Sequence, residues 1–489
     1  MLYQLLANTA QRIPSHTFME WDEKSLSFQG FVKAVDRFAT TLADSGITPG
    51  DAVIVLLPNG PEFAIGIFAV AKLGGIAVPL NTAFQDKELQ YYLQDSQARA
   101  VVTSADIVVS HSELLKDGGD FRIITEVPVD VDSTDDAGQR RPWGSPVLYQ
   151  YSSGSTGTPK RVIRSREHLG HEARNFTATV KADESDRILA VVPMFHAHGF
   201  GNCLLASACS GATMVVLSSF KRKPALSTLA DKGITIFPGV PFMFSILADS
   251  PSIKGMPLPA LRLAFSAGAP LARETFNNFL EKFAVPVRQL YGSTETGSVA
   301  INTGSTDGDC WASIGTPMHN VRVTIVDDNN EPVPVGESGE LIICSPALTD
   351  GYANLDEVNR ETFRDGCFWS GDTGHKDPDG NIFITGRKKL FINAGGNKVD
   401  PGQVEEIISR HPAVDEVVVV GVKGQYGQEI IKAAVVKKAG QDCSAEEIKE
   451  WCNGKLADFK VPRIIEFRDE IPRSPLGKIL RKYLQEDVA

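Results

Sequence analysis

Between Tyr151 and Lys160 the chain reads Tyr-Ser-Ser-Gly-Ser-Thr-Gly-Thr-Pro-Lys, two glycines and five Ser/Thr hydroxyls closing on one lysine. Glycines let backbone N–H groups approach an anion, hydroxyls donate hydrogen bonds, and an ammonium supplies charge, so the stretch has the chemistry of a phosphate cradle. An ordinary polar turn is the alternative. The Walker A pattern does not fit: counted from Gly154, its second glycine falls on Pro159 and its closing hydroxyl on Arg161. The magnesium-binding hydroxyl is therefore missing, and proline removes a donor. Three further clusters stand at strand ends: Pro193–Gly199, Ser266–Pro270 and Tyr291–Glu295. Glu295 beside Thr294 could hold Mg2+ and a phosphate together, or be a solvated turn glutamate. His196 and His198 lack a clear third ligand for zinc. A positioning role in a substrate pocket suits His196, and His198 could simply be packed. Near the end, Arg473-Ser-Pro-Leu-Gly-Lys478 is a loop whose Lys478 reads, alone, as a solvated lysine.

The rest of the composition sets bounds. A chain of 489 residues can form two or more domains with a sizeable core. Hydrophobic content of 42% and charged content of 22% are those of an ordinary globular protein. A net charge of −11 argues against a nucleic-acid partner, so a bound nucleotide would be held by local charge and backbone donors. The seven cysteines include no C-x-x-C pair, and their odd number makes a disulfide framework unexpected and a reducing, cytoplasmic setting the expectation. No signal peptide is expected from Met1 to Gln11, and no transmembrane segment, because the apolar run Phe63 to Leu80 is broken by Lys72.

The elements that must carry these clusters alternate. Helical periodicity over Phe28–Ser45, with Ser27 as N-cap, is followed by a strand over Asp51–Leu57 and a helix over Pro61–Leu73. A strand over Ile76–Leu80, a helix over Gln85–Ser96 and a strand over Ala98–Thr103 come next. Val127–Trp143 reads as a surface connector, and Pro146–Gln150 as a strand running into the phosphate-like loop. Strands are then expected at Arg187–Val192, Thr213–Leu217, Ile234–Phe237, Arg262–Ser266 and Val287–Tyr291, with a helix over Leu271–Phe283. Such alternation implies parallel α/β sheets. From about 311 to 385 closely spaced turns imply a β-rich subdomain. Beyond Gly386 a small α+β unit follows: a helix at Pro401–His411, strands at Glu416–Val422 and Ile430–Lys437, and a helix opened by the capping box Ser444/Glu447.

Taken in order, Tyr151–Lys160, Tyr291–Glu295, Ser370-Gly-Asp372, Gly386-Arg387 and Pro475–Lys478 closely resemble the motifs of the adenylate-forming superfamily, which includes acyl- and aryl-CoA synthetases, peptide-synthetase adenylation domains and luciferases. The resemblance spans nearly the whole chain, Leu73–Leu80 included. It implies an N-terminal domain over 1–386 that carries the ATP and carboxylate sites. A small mobile domain over 387–489 would carry the catalytic lysine. In this family a carboxylate attacks the α-phosphate of MgATP, pyrophosphate leaves, and a thiol then displaces AMP.

Carried over, Ser153, Ser155, Thr156, Gly157 and Lys160 would bind the β- and γ-phosphates. Gly268, Ala269 and Pro270 would line the adenine, with Tyr291 stacking on it. Thr294 would bond the α-phosphate, Glu295 would ligate Mg2+, Asp372 would accept the ribose hydroxyls and Arg387 would assist it. Lys478 would offset the negative charge that gathers as carboxylate meets phosphate. Lys389 would be the hinge, and Gly395 and Gly396 would leave room for pantetheine in the thioester step.

Two departures from the family pattern matter. Arg161 replaces the usual glycine and is followed by Arg164 and Arg166, to which no role is assigned. Phe195 is followed by His196 where amino-acid-activating domains carry an aspartate, so the counter-ion for a substrate ammonium is missing. The resemblance therefore points to an aryl or fatty acid as substrate and CoA as acceptor. The phosphopantetheine of an acyl carrier protein is an alternative acceptor, and a luciferase-like monooxygenase an alternative class. Pocket walls are expected from 195–205, 239–244 and 292–299.

Overall fold

A computed structural model of the chain describes residues 2–115, 121–129, 145–152, 159–250, 256–388, 392–394, 397–423, 429–453, 455–473 and 479–485. Ser153, Ser155, Thr156, Gly157, Lys389, Gly395, Gly396 and Lys478 lie outside the described residues, as does the expected connector beyond residue 129.

Two large sheets face each other across a layer of helices. One runs in the order Arg122–Ile124, Ala100–Val102, Ala52–Val55, Ile76–Pro79, Pro146–Ser152, Lys160–Ser165. Its neighbours are parallel until the last pair, which is antiparallel. The other runs Thr316–Pro317, Gly297–Ile301, Val287–Ser293, Leu263–Ser266, Ile236–Gly239, Arg187–Ala190, Thr213–Val216, Thr17–Trp21, Lys24–Ser27. Helices Phe28–Asp44, Pro61–Leu73 and Arg166–Val180 share one apolar core with Val53, Val102 and Leu148 of the first sheet and Ile188, Met214 and Phe265 of the second. Phe28–Asp44 shows why: Phe28, Phe31, Val35, Phe38 and Leu42 recur at helical spacing and are all buried, while Ser27 caps the first turn by accepting from the Gly30 N–H at 3.1 Å. Pro61–Leu73 is apolar all round, and every residue but Glu62 is buried. Its one buried cation, Lys72, pairs with Asp36 at 2.7 Å.

The expected β-rich region is an antiparallel sheet in which Gly339–Cys344 lies between Arg322–Val326 and Cys367–Lys376, and Ile382–Arg387 pairs with the far side of Cys367–Lys376. It holds a correction. Cys344 and Cys367 form one disulfide, where the cysteine pattern argues against a disulfide framework. They are 23 residues apart without a recognisable spacing, and only the ladder, which sets Ile343 opposite Phe368, brings them face to face. A formed disulfide runs against the reducing setting expected from the cysteine pattern.

The C-terminal segment builds its own core. Val404, Ile408, Val419, Ile431, Val435, Ile448 and Cys452 pack together from helices Pro401–Ser409 and Ala445–Cys452 and strands Val414–Lys423 and Glu429–Lys437. Ser444 and Glu447 form the expected reciprocal cap. Among the described residues no helix is long and apolar enough to cross a membrane.

Candidate active site

The strand ends of the nine-stranded sheet bring several of the expected residues to one edge. Leu263–Ser266 and Val287–Ser293 are parallel neighbours, with Ser266 opposite Gln289. Gly268, Ala269 and Pro270 therefore emerge beside Tyr291, and all three are exposed. Gly268 takes φ +88, the left-handed region, and nothing stands within 4 Å of where a Cβ would be. That leaves an open backbone surface beside an aromatic ring, which a flat base can occupy.

Tyr291 also reaches the antiparallel sheet. Its hydroxyl donates to Asp372 Oδ2, and Arg387 Nε donates to Asp372 Oδ1 at 2.5 Å. Asp372 and Arg387 are cross-strand partners, which is why the guanidinium and carboxylate meet. Burial and the Asp372 carboxylate push the Tyr291 phenol well up, so it stays a donor. Burial pulls the Arg387 guanidinium down, but Asp372 more than reverses this and the net shift is upward. Each carboxylate oxygen has lone pairs left over for a diol.

Thr294 and Glu295 form the turn between strands Val287–Ser293 and Gly297–Ile301. Glu295 is buried, with 7% exposure, and its Oε1 accepts from the Tyr352 hydroxyl at 2.7 Å. Its Oε2 accepts no hydrogen bond from a described residue, which leaves a carboxylate oxygen available to a hard cation. Burial, reinforced by Glu295, pushes the Tyr352 phenol up, keeping the proton on the donor side. The Tyr352 ring carries the Lys160 ammonium 4.7 Å from its centre. Lys160 opens the strand Lys160–Ser165, and that strand is stitched to the segment around Tyr352: Ala353 N–H donates to Arg161 O at 2.9 Å, and Ile163 N–H to Gly351 O at 3.3 Å. Thr349 N–H in turn donates to Glu295 O at 2.9 Å. Lys160, Tyr352 and Glu295 thus sit on one connected scaffold. The donor set suits a magnesium-bound polyphosphate beside a ribose.

Tyr352 was not singled out in the sequence. It lies 57 residues from Glu295 and inside no local motif, so only the folded pairing reveals it.

Neither His196 nor His198 lies in a strand. His196 caps the short helix Ala197–Gly199, its Nδ1 accepting from His198 N–H at 3.3 Å. A π-helical stretch, Phe200–Leu205, follows, and all six of its residues are buried. Irregular turns of this kind recur at functional sites. His198 is buried: its Nε2 lies 3.0 Å from the Gly239 carbonyl and its Nδ1 2.9 Å from Asn202 Nδ2. A carbonyl only accepts, so Nε2 carries the proton and Nδ1 accepts from the amide. Asn202 Oδ1 accepts from Ser298 Oγ at 2.9 Å. This relay ties together the three expected pocket walls. Burial pushes the His198 imidazole down to about 4, so it is neutral at pH 7. Of the apolar trio at 242–244, Met243 and Phe244 are core, and Phe242 is half-buried against Phe220 at 5.7 Å.

Two family models match this chain. One, described as AMP-binding enzyme, covers residues 6–353, and the other, the AMP-binding enzyme C-terminal domain, covers 403–478. The chain belongs to the AMP-binding enzyme family. It is similar to a feruloyl-CoA synthase from an Amycolatopsis species, 30% identical over 96% of each chain. It is also similar to an oxalate–CoA ligase from Arabidopsis thaliana, 32% identical over 99% of this chain and 97% of that one. Among solved structures, the O-succinylbenzoate coenzyme A synthetase of Bacillus subtilis in complex with ATP and magnesium ion superposes with a TM-score of 0.86, at 25% identity over 98% of both chains. The chain is thus an adenylate-forming enzyme of the CoA-ligase type, with the α/β architecture of that group.

Proposed function

We propose that this chain activates a small aryl or fatty carboxylic acid with ATP, releases pyrophosphate, and passes the acyl group to CoA. The observation that carries this reading is the convergence of Tyr291, Asp372 and Arg387 beside the open Gly268–Pro270 backbone, with Glu295 and Lys160 joined through Tyr352.

In this reading the adenine lies along Gly268–Pro270 against Tyr291, and Asp372, steadied by Arg387, accepts the ribose hydroxyls. Thr294 donates to the α-phosphate. Glu295 holds Mg2+, which when bound withdraws charge from the phosphate oxygens. Lys160, with Ser153, Ser155, Thr156 and Gly157, grips the leaving pyrophosphate. Lys478, on a mobile unit over 387–489 that turns about Lys389, neutralises charge between carboxylate and phosphate. His196 borders the acyl pocket, and Gly395 and Gly396 admit the pantetheine thiol. A cytoplasmic location belongs to the same proposal, because both ATP and CoA are drawn from that pool.

The test is a pyrophosphate-release screen of the full chain with MgATP over aryl, short-chain and long-chain acids. Parallel arms contain CoA, a carrier protein bearing phosphopantetheine, or neither. Thioester formed with CoA from at least one acid is the expected result. Acyl-AMP without CoA thioester would refute the acceptor, and thioester found only on the carrier protein would replace it. Light emission or oxygen uptake would move the chain to the monooxygenase class.

A further inference from the structure

Arg161 breaks the family pattern and is followed by Arg164 and Arg166, and the structure gives the three arginines separate fates. Arg161 turns to Asp95, 3.4 Å from its Oδ2, and lies over the Tyr149 ring. Arg166 pairs with its neighbour Glu167 at 2.6 Å. Arg164 points inward, with no exposed side-chain surface. Its Nη2 donates to Glu172 Oε2 at 2.7 Å and to the Ala347 carbonyl at 3.1 Å, and its Nη1 donates to the Thr294 carbonyl at 2.8 Å.

A guanidinium in the interior is costly unless a carboxylate and further acceptors meet it. Here the chain provides a carboxylate and two carbonyls for the two Nη groups, from helix Arg166–Val180, the Thr294 turn and the segment before Thr349, while Nε meets no acceptor among the described residues. Space is reserved for the pair as well. A Cβ on Gly297 would stand 2.5 Å from Glu172 Cδ, and one on Gly201 would collide with Glu172 Oε1. Lys160 and Arg164 are an even number of residues apart, so they lie on the same face of their strand. One rigid strand therefore carries the phosphate-loop lysine at its start and a clamp on the Thr294 carbonyl at its end.

We propose that Arg164, with Glu172 as its counter-ion, is a positioning residue for adenylation: it fixes the Thr294–Glu295 turn relative to Lys160. This rests on the CoA-ligase reading above. Arg164 touches neither ATP nor acid in this account. It acts through the Thr294 carbonyl, so its effect belongs to the half-reaction that uses the phosphate site.

The test is the double variant Arg164→Met with Glu172→Gln in the full chain. Either single change strands a buried charge, whereas the pair of changes removes both charges. Three readouts are compared with wild type: thermal unfolding, the rise in melting temperature on adding MgATP, and the two half-reactions measured apart. Pyrophosphate release is followed with the acid found in the screen, and thioester formation with the supplied acyl-adenylate and CoA. The expected result is a folded protein whose adenylation falls roughly 10- to 100-fold, as for a small misplacement of reacting groups. Its MgATP-dependent stabilisation is smaller, and its thioester formation from supplied adenylate is retained.

Undiminished adenylation, or equal losses in both half-reactions, overturns the proposal. If the double variant does not fold, Arg164→Lys decides. It keeps the charge opposite Glu172 but cannot reach all three acceptors. A selective loss of adenylation then supports the proposal, and wild-type adenylation overturns it. A wild-type chain that releases pyrophosphate with no acid refutes the ligase reading itself, and is distinguishable from both.

Discussion

Tyr352→Phe removes one oxygen atom and tests the join between Glu295 and Lys160. The lost hydrogen bond, 2.7 Å long and buried, runs from a neutral phenol to a carboxylate. Hydrogen bonds to charged groups contribute about 1.5–3 kcal/mol, and a buried acceptor left short of a donor costs a similar amount. At about 1.4 kcal/mol per factor of ten, the full effect on a rate is roughly 10- to 150-fold. The ring remains, so the Lys160 contact at 4.7 Å and the packing on Phe363 at 5.4 Å are kept. Any loss is therefore assigned to the carboxylate. Pyrophosphate release is measured against MgATP and against free Mg2+ at saturating ATP. We expect kcat/KM for MgATP to fall by roughly tenfold or more, the Mg2+ requirement to rise, and the melting temperature to drop. An unchanged Mg2+ dependence in a folded variant would refute the view that Tyr352 sets the Glu295 carboxylate.

Three other outcomes are expected. Lys478→Ala should lower adenylation by about 10²–10³-fold, as for loss of one oriented electrostatic donor, while sparing thioester formation from supplied adenylate; equal loss in both steps, in half-reaction assays, would count against a turning C-terminal unit. The His198 imidazole is held down to about 4 against roughly 6.5 in an unfolded chain, so the unfolded state takes up the proton first. Stability is then full above about pH 6.5 and declines as pH falls towards 4; denaturant unfolding of His198→Gln should be flatter across that window, and identical profiles would exclude His198. Gly297→Ala places a Cβ 2.5 Å from a pinned Glu172 at φ +66, so it should destabilise the fold by more than the roughly 1–2 kcal/mol of left-handed backbone cost alone, read as a lowered melting temperature; wild-type melting would show that Glu172 can move aside.

The parallel units were legible because each buried strand is a short apolar run closed by glycine or proline, and each helix shows a regular apolar face. Pro61–Leu73 has the expected boundaries, and Phe28–Asp44 ends one residue early. Lys160–Ser165 escaped notice because lysine and arginines occupy half of it, which disguises alternation between two faces. Thr17–Trp21 and Lys24–Ser27 were also missed. They are short, and they join their sheet through Thr213–Val216, about 200 residues away, a pairing no local pattern encodes. The site divides the same way. Gly268–Pro270, Tyr291, Thr294, Glu295, Asp372 and Arg387 sit in local turns or strand ends and carry their chemistry in their neighbours. Tyr352, Glu172 and the Cys344–Cys367 bond depend on contacts between distant segments.

The order in which Arg164 acquires its partners has a consequence for synthesis. Glu172 is eight residues away and is reached by closing one short loop. The Thr294 and Ala347 carbonyls lie 130 and 183 residues away. A nascent chain can therefore neutralise the arginine early but cannot complete the hydrogen bonds of its two Nη groups until residue 347 has left the ribosome. Fragments that end before Thr294 would have to keep this corner open to water. They should bind chaperones and yield to proteases at the strand–helix junction near Ser165, and that vulnerability should vanish once the segment through Tyr352 is included.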